Sequence, residues 1–157
     1  MLQLNQMAPT FSLPDQAGRT VSLASFKGRQ WVVLYFYPKD DTPGCTIEAN
    51  QFTTLADAFA AQDTVVLGVS KDSSTSHQQF IDKHQLKVDL IADTEGQLCE
   101  QYGVWQEKAR DGVKKMGIVR STFIIDKSGK LVDLEYNVKP DGHAQAVLAK
   151  IAALNEK

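Results

Sequence analysis

Cysteine occurs twice in the 157 residues, at Cys45 and Cys99, and only the first has the surroundings of a chemical group. It lies in Tyr37-Pro-Lys-Asp-Asp-Thr-Pro-Gly-Cys-Thr-Ile-Glu48, flanked by glycine, threonines and aspartates. A cysteine that serves as a small hydrophobe usually has apolar neighbours, so this setting points to a reactive thiol. Pro43 suits the first turn of a helix, and Thr42 before it can cap that helix. Cys45 then falls in the first turn, where unpaired N–H groups and the positive dipole end favour a thiolate. Asp40, Asp41 and Glu48 oppose such a charge, and a cation must compensate them. The arginines are Arg19, Arg29, Arg110 and Arg120. Arg120 directly precedes the apolar run Ser121–Asp126, and position alone reads it as a solvated strand-edge residue.

The elements around this segment follow from periodicity. Trp31–Tyr37 is continuous, β-branched and aromatic, the pattern of a strand buried on both faces, and Pro38 ends it. Open α/β sheets hold their ligands at such carboxyl strand ends. Phe11–Asp15 and Thr20–Leu23 read as a hairpin with Gly18 in its turn. Phe52, Leu55, Ala56 and Phe59 form one helix face. Thr64–Ser70 and Val88–Ala92 read as strands, and Ser74–His84 and Gln97–Tyr102 as helices. Lys108–Gly117 is polar and is expected to be a surface loop. Ser121–Asp126 and Lys130–Tyr136 form a second hairpin, and Gly142–Leu154 is an amphipathic helix. The order predicts an α/β fold, a single domain over 1–157. Its mixed central sheet is flanked by helices, with an N-terminal β-hairpin extension, and a thioredoxin-like layout fits.

Composition narrows the function classes. The net charge is −2 and no basic stripe exists, so no nucleic-acid partner is expected. The longest apolar run is far short of the ~18 residues a membrane span needs. No signal peptide is visible at the start, so a cytoplasmic location is expected. Two cysteines are too few for a disulfide scaffold or a thiolate zinc site. No C-x-x-C motif and no nucleotide-binding glycine motif occurs, so no cofactor and no metal is expected. His77 and His84 share a predicted helix face and are expected to be solvated, as is His143. Trp105 reads as packing, and Lys114-Lys115 as a solvated pair.

Pro38-x-x-x-Thr42-x-x-Cys45 resembles the active-site signature of the peroxiredoxins. The fuller string Tyr35-Phe-Tyr-Pro38 with Thr42-Pro-Gly-Cys45-Thr-x-Glu48 is similar to the bacterioferritin comigratory protein, or Q-type, branch. The similarity extends from Ala8-Pro-x-Phe11 through Val66–Ser70 and Tyr102–Trp105 to Arg120–Asp126, nearly the whole chain. It implies a thioredoxin-like fold and a thiol-dependent peroxidase acting on hydrogen peroxide and organic hydroperoxides. Cys45 would attack the peroxide. Arg120, on this resemblance, becomes the active-site arginine that stabilises the charge. Thr42 would position the peroxide and Pro38 would wall the pocket. Glu48 would orient the arginine; an exposed helix acid is the alternative.

The resemblance also raises the question of what reduces the sulfenic acid. Many Q-type members carry a second cysteine five residues after the first, where this chain has Asn50. Others carry it in the next helix, where Phe80–His84 contains none. Cys99 matches neither position. A one-cysteine mechanism is therefore expected, with thioredoxin, glutaredoxin or glutathione as external reductant and a monomeric protein. Two alternatives stay open. One is resolution by Cys99 through a Cys45–Cys99 disulfide. The other is a non-catalytic redox sensor.

Overall fold

The computed structural model describes residues 2–156. Its centre is a five-stranded sheet in the order β5 (Asp89–Ala92), β4 (Thr64–Ser70), β3 (Trp31–Phe36), β8 (Ser121–Ile125), β9 (Leu131–Tyr136). β3, β4 and β5 run parallel, and β8 and β9 add antiparallel strands, with a bulge at Ile124/Ile125. The mixed sheet read from the sequence is thus present. So is the N-terminal hairpin, as β1 (Ser12–Pro14) and β2 (Thr20–Ser22).

Alternation along β3 divides the interior into two cores, because successive side chains point to opposite faces. Val33, Tyr35 and Tyr37 face one core. It is closed by α1 (Pro43–Thr54), α2 (Ala56–Ala61), α3 (Ser74–His84) and α5 (His143–Asn155) through Phe52, Phe59, Phe80, Val147 and Ile151. Val32, Leu34 and Phe36 face the other. It is closed by α4 (Gln97–Gln101) and the N-terminal segment through Phe11, Leu23, Leu98 and Tyr102. Both cysteines are buried, Cys45 in the first core and Cys99 in the second.

Four readings of the sequence are corrected. Lys108–Gly117 is not a loop: β6 (Trp105–Arg110) and β7 (Val113–Ile118) pair as an antiparallel hairpin outside the main sheet. Its residues are mostly exposed, so no apolar alternation marks the strands. The face through Phe52 and Phe59 is broken at Leu55, where the backbone leaves the helix and α2 begins. His77 is 0% exposed, and His84 bonds Asp41, so the pair is not a solvated face. His143 is buried against Thr122 at 2.8 Å.

Candidate active site

Strand pairing gathers the site. Phe36, the last residue of β3, lies opposite Ser121, the first of β8. Arg120, just before Ser121, therefore sits at the carboxyl end of β3, beside the turn that leads to Cys45. Its backbone carbonyl is held there by the Val138 N–H at 2.8 Å. Pro43 occupies the first turn of α1, Cys45 is the helix's third residue, and the first helical bond runs from Thr46 N–H to the Thr42 carbonyl. The N–H groups of Gly44 and Cys45 precede that bond and have no partner within the helix.

Thr42 stands at the cap position, but its hydroxyl does not cap. It donates instead to the Lys39 carbonyl at 2.9 Å. The expectation of a Thr42 cap is corrected by this local turn, which leaves the end of the helix open.

The guanidinium of Arg120 bridges two residues of α1. Nη2 donates to Cys45 Sγ at 3.3 Å, and Nη1 donates to Glu48 Oε1 at 2.7 Å. Residues three apart on a helix share a face, so the planar fork can reach both. Gly44 makes room for it, since a Cβ there would lie 3.1 Å from Nη2 and 3.4 Å from Pro140 Cγ. Burial opposes the charge on Arg120, but Glu48 and Cys45 more than offset this and hold it firmly protonated.

Glu48 is fully buried and is not an exposed acid. Burial pushes its carboxyl up to about 7, against the pull of Arg120. Its second oxygen has no hydrogen-bond partner, and neither does the Tyr35 hydroxyl beneath the site. Pro38 is half-buried in the β3–α1 turn.

The two aspartates expected to repel a thiolate are turned onto α3. Asp40 accepts from Tyr37, Ser76 and His77 at 2.6, 2.7 and 2.8 Å. Asp41, in the left-handed region at φ 58°, bonds Lys83 and His84. Their charges are met locally, which sequence spacing could not reveal.

Cys99 is brought to a different place. It lies 0% exposed in the second core, across the sheet from Cys45. Its thiol is pushed well up, first by burial and then by Asp93. A disulfide needs Cα atoms within about 6.8 Å, and the central sheet lies between the two cores that hold these thiols.

The AhpC/TSA family profile matches residues 4–134. The chain is 43% identical to peroxiredoxin Bcp of Bacillus subtilis over 99% of both chains. It is 45% identical to a putative peroxiredoxin bcp of Coxiella burnetii over 96% of this chain and 99% of that one. Among solved structures, a cysteine-to-serine mutant of Xylella fastidiosa PrxQ superposes with a TM-score of 0.92 at 35% identity, over 98% of each chain. The Xanthomonas campestris bacterioferritin comigratory protein gives 0.87 at 39% identity over 92% of each, in a study of its alkyl peroxide reduction activity. Among the described residues, no helix is long and apolar enough to cross a membrane.

Proposed function

This chain belongs to the AhpC/TSA family and is a peroxiredoxin, a thiol-dependent peroxidase, and from that premise we propose that Cys45 is its peroxidatic residue and works without a second cysteine. The observation that carries the reading is the guanidinium shared between Cys45 Sγ and Glu48. A charge-assisted donor is stronger to a thiolate than to a thiol, so Arg120 favours the nucleophilic form.

The step balances as follows. The Cys45 thiolate attacks one oxygen of ROOH, an S–O bond forms, and the O–O bond breaks in line with it. The leaving RO⁻ takes a proton and departs as water or an alcohol, and the cysteine becomes a sulfenic acid. Charge spreads along the oxygen pair as the bond breaks, and Arg120 Nη2 lies ready to meet it. The N–H groups of Gly44 and Cys45, left open by the uncapped helix, offer further donors. The Thr42 hydroxyl, already donating to the Lys39 carbonyl, can accept a hydrogen bond from the peroxide O–H. Pro38 walls the pocket and limits further oxidation of the sulfenic acid.

An external thiol then attacks the sulfenic sulfur and releases water. A second equivalent displaces Cys45 from the mixed disulfide. Thioredoxin, glutaredoxin and glutathione can each play this part. The position of Cys99 across the sheet supports an external source, because a bridge to Cys45 would require dismantling a core. Hydrogen peroxide and organic hydroperoxides are the proposed substrates. A monomer in the cytoplasm, where unpaired thiols persist, is the proposed setting.

Peroxide consumption with dithiothreitol tests the reading. Steady turnover lost in Cys45→Ser is expected, and intact mass after one equivalent of peroxide should show one added oxygen. Stoichiometric oxidation without turnover would instead indicate a sensor. A loss of two hydrogens within the monomer would indicate a Cys45–Cys99 disulfide.

A further inference from the structure

A polar network separate from the thiol surrounds His77. This ring is completely buried, and the Asp40 side chain beside it is 6% exposed. Nε2 faces the Ile91 carbonyl on β5 at 2.9 Å. A carbonyl only accepts, so Nε2 carries a proton. Nδ1 faces both oxygens of Asp40, at 2.8 and 3.0 Å, so a second proton must lie between ring and carboxyl. The same carboxyl accepts from Tyr37 and Ser76, and the Asp40 backbone N–H donates to Asp72 at 2.9 Å. Asp72 is itself tied to Ser70 at 2.6 Å. The titratable groups around His77 are therefore Asp40 on the turn, Tyr37 after β3 and Asp72 before α3.

These bonds end at the reacting loop. Asp40 lies between Lys39, whose carbonyl takes the Thr42 hydroxyl, and Asp41, which grips the far end of α3 through Lys83 and His84. We propose that Asp40 and His77 are positioning residues of the peroxidase, and that the bonds from Ile91 through His77 and Asp40 fix the Lys39 carbonyl and hence the Thr42 hydroxyl. They touch neither the sulfur nor the peroxide. The thiolate is held separately, by Arg120 just before β8, so the two functions can be separated by mutation. The proposal rests on Cys45 being the reacting thiol.

The experiment compares two reactions of the same sulfur. Oxidation by hydrogen peroxide needs a positioned substrate, whereas alkylation by iodoacetamide reports the thiolate. In Asp40→Ala the peroxide rate should fall by about 10- to 100-fold, the cost of misplacing a reactant by an ångström or less. The iodoacetamide rate should stay within about twofold, because the Arg120 contact is untouched. Asp40→Asn keeps the shape and can donate its amide to a neutral ring. It should therefore retain most of the peroxide rate. An equal fall in both reactions, or no fall in either, would refute the proposal. If Asp40→Ala does not fold, Asp40→Asn decides. In that variant, a peroxide rate that falls together with the iodoacetamide rate would count against positioning. Failure of Cys45 to oxidise in the native protein would instead overturn the peroxidatic assignment, independently of Asp40.

Discussion

Cys45 and Cys99 are each the third residue of a helix that follows a strand of the same sheet, and both are almost inaccessible, at 2% and 0% exposure. Their partners separate them. Cys45 receives a guanidinium N–H, whereas Cys99 lies against Asp93, whose charge adds to burial in pushing the thiol up. The helix ends differ in the same sense. Asp93 already accepts the N–H groups of Leu98 and Cys99, at 3.2 and 2.9 Å. Thr42 turns away and leaves those of Gly44 and Cys45 open. The start of a helix is therefore not what makes a thiol reactive here. In the proposed mechanism a cation and unclaimed donors set Cys45 apart, and the carboxylate of Asp93 denies both to Cys99.

The sharpest way to break this contrast is to remove the cation. Arg120→Met should lower the rate of Cys45 with peroxide by about 10²–10³, the effect typical of deleting a donor to a developing charge. Arg120→Lys should recover little, since an ammonium cannot span Cys45 and Glu48 as the fork does. Single-turnover kinetics would measure both, and a fall of less than about threefold would contradict the account.

A smaller effect is expected from crowding the cation. Gly44→Ala places a methyl 3.1 Å from Arg120 Nη2. The guanidinium must shift, and the peroxide rate should drop by about tenfold while the fold persists. An unchanged rate would mean that the 3.3 Å contact to sulfur does not matter.

Glu48 gives a signature in stability. Its folded carboxyl titrates at about 7, above its ordinary value of 4.5. Between those values the folded chain holds a proton that the unfolded chain releases. The stabilisation is complete below the lower value and is lost as pH rises through the upper one. Denaturant titrations should therefore show Glu48→Gln losing less stability than the native protein between pH 5 and pH 8. A greater loss in the variant would reverse the sign and contradict the burial argument. Least affected should be turnover in Cys99→Ser. That variant should keep the native peroxidase rate within about twofold and lose ~1–3 kcal/mol of stability, because a hydroxyl replaces a buried thiol.

Much of this was legible beforehand. The strands with continuous apolar runs, Trp31–Tyr37 and Thr64–Ser70, announce themselves because burial on both faces leaves no polar positions. The setting of Cys45 was legible for the same local reason, since Pro43 fixes where its helix begins. Arg120 reads as a strand-edge residue from its position and as a site residue only through the family resemblance, because its place depends on the antiparallel pairing of Phe36 with Ser121, a long-range register. His77 and His143 read as solvated from the sequence because their partners, Asp40 and Thr122, are remote along the chain. The β6–β7 hairpin does carry a signal in its turn. Asp111-Gly112, both at positive φ of 52° and 79°, is a two-residue hairpin turn.

Trapping sulfenic acid with dimedone after one equivalent of peroxide, followed by peptide mapping of both cysteines, would test the contrast between the two thiols most directly. The adduct should form on Cys45 alone, and in Arg120→Met its rate should fall toward that of Cys99. Equal labelling of the two residues, or an intact Cys45 beside a modified Cys99, would contradict it.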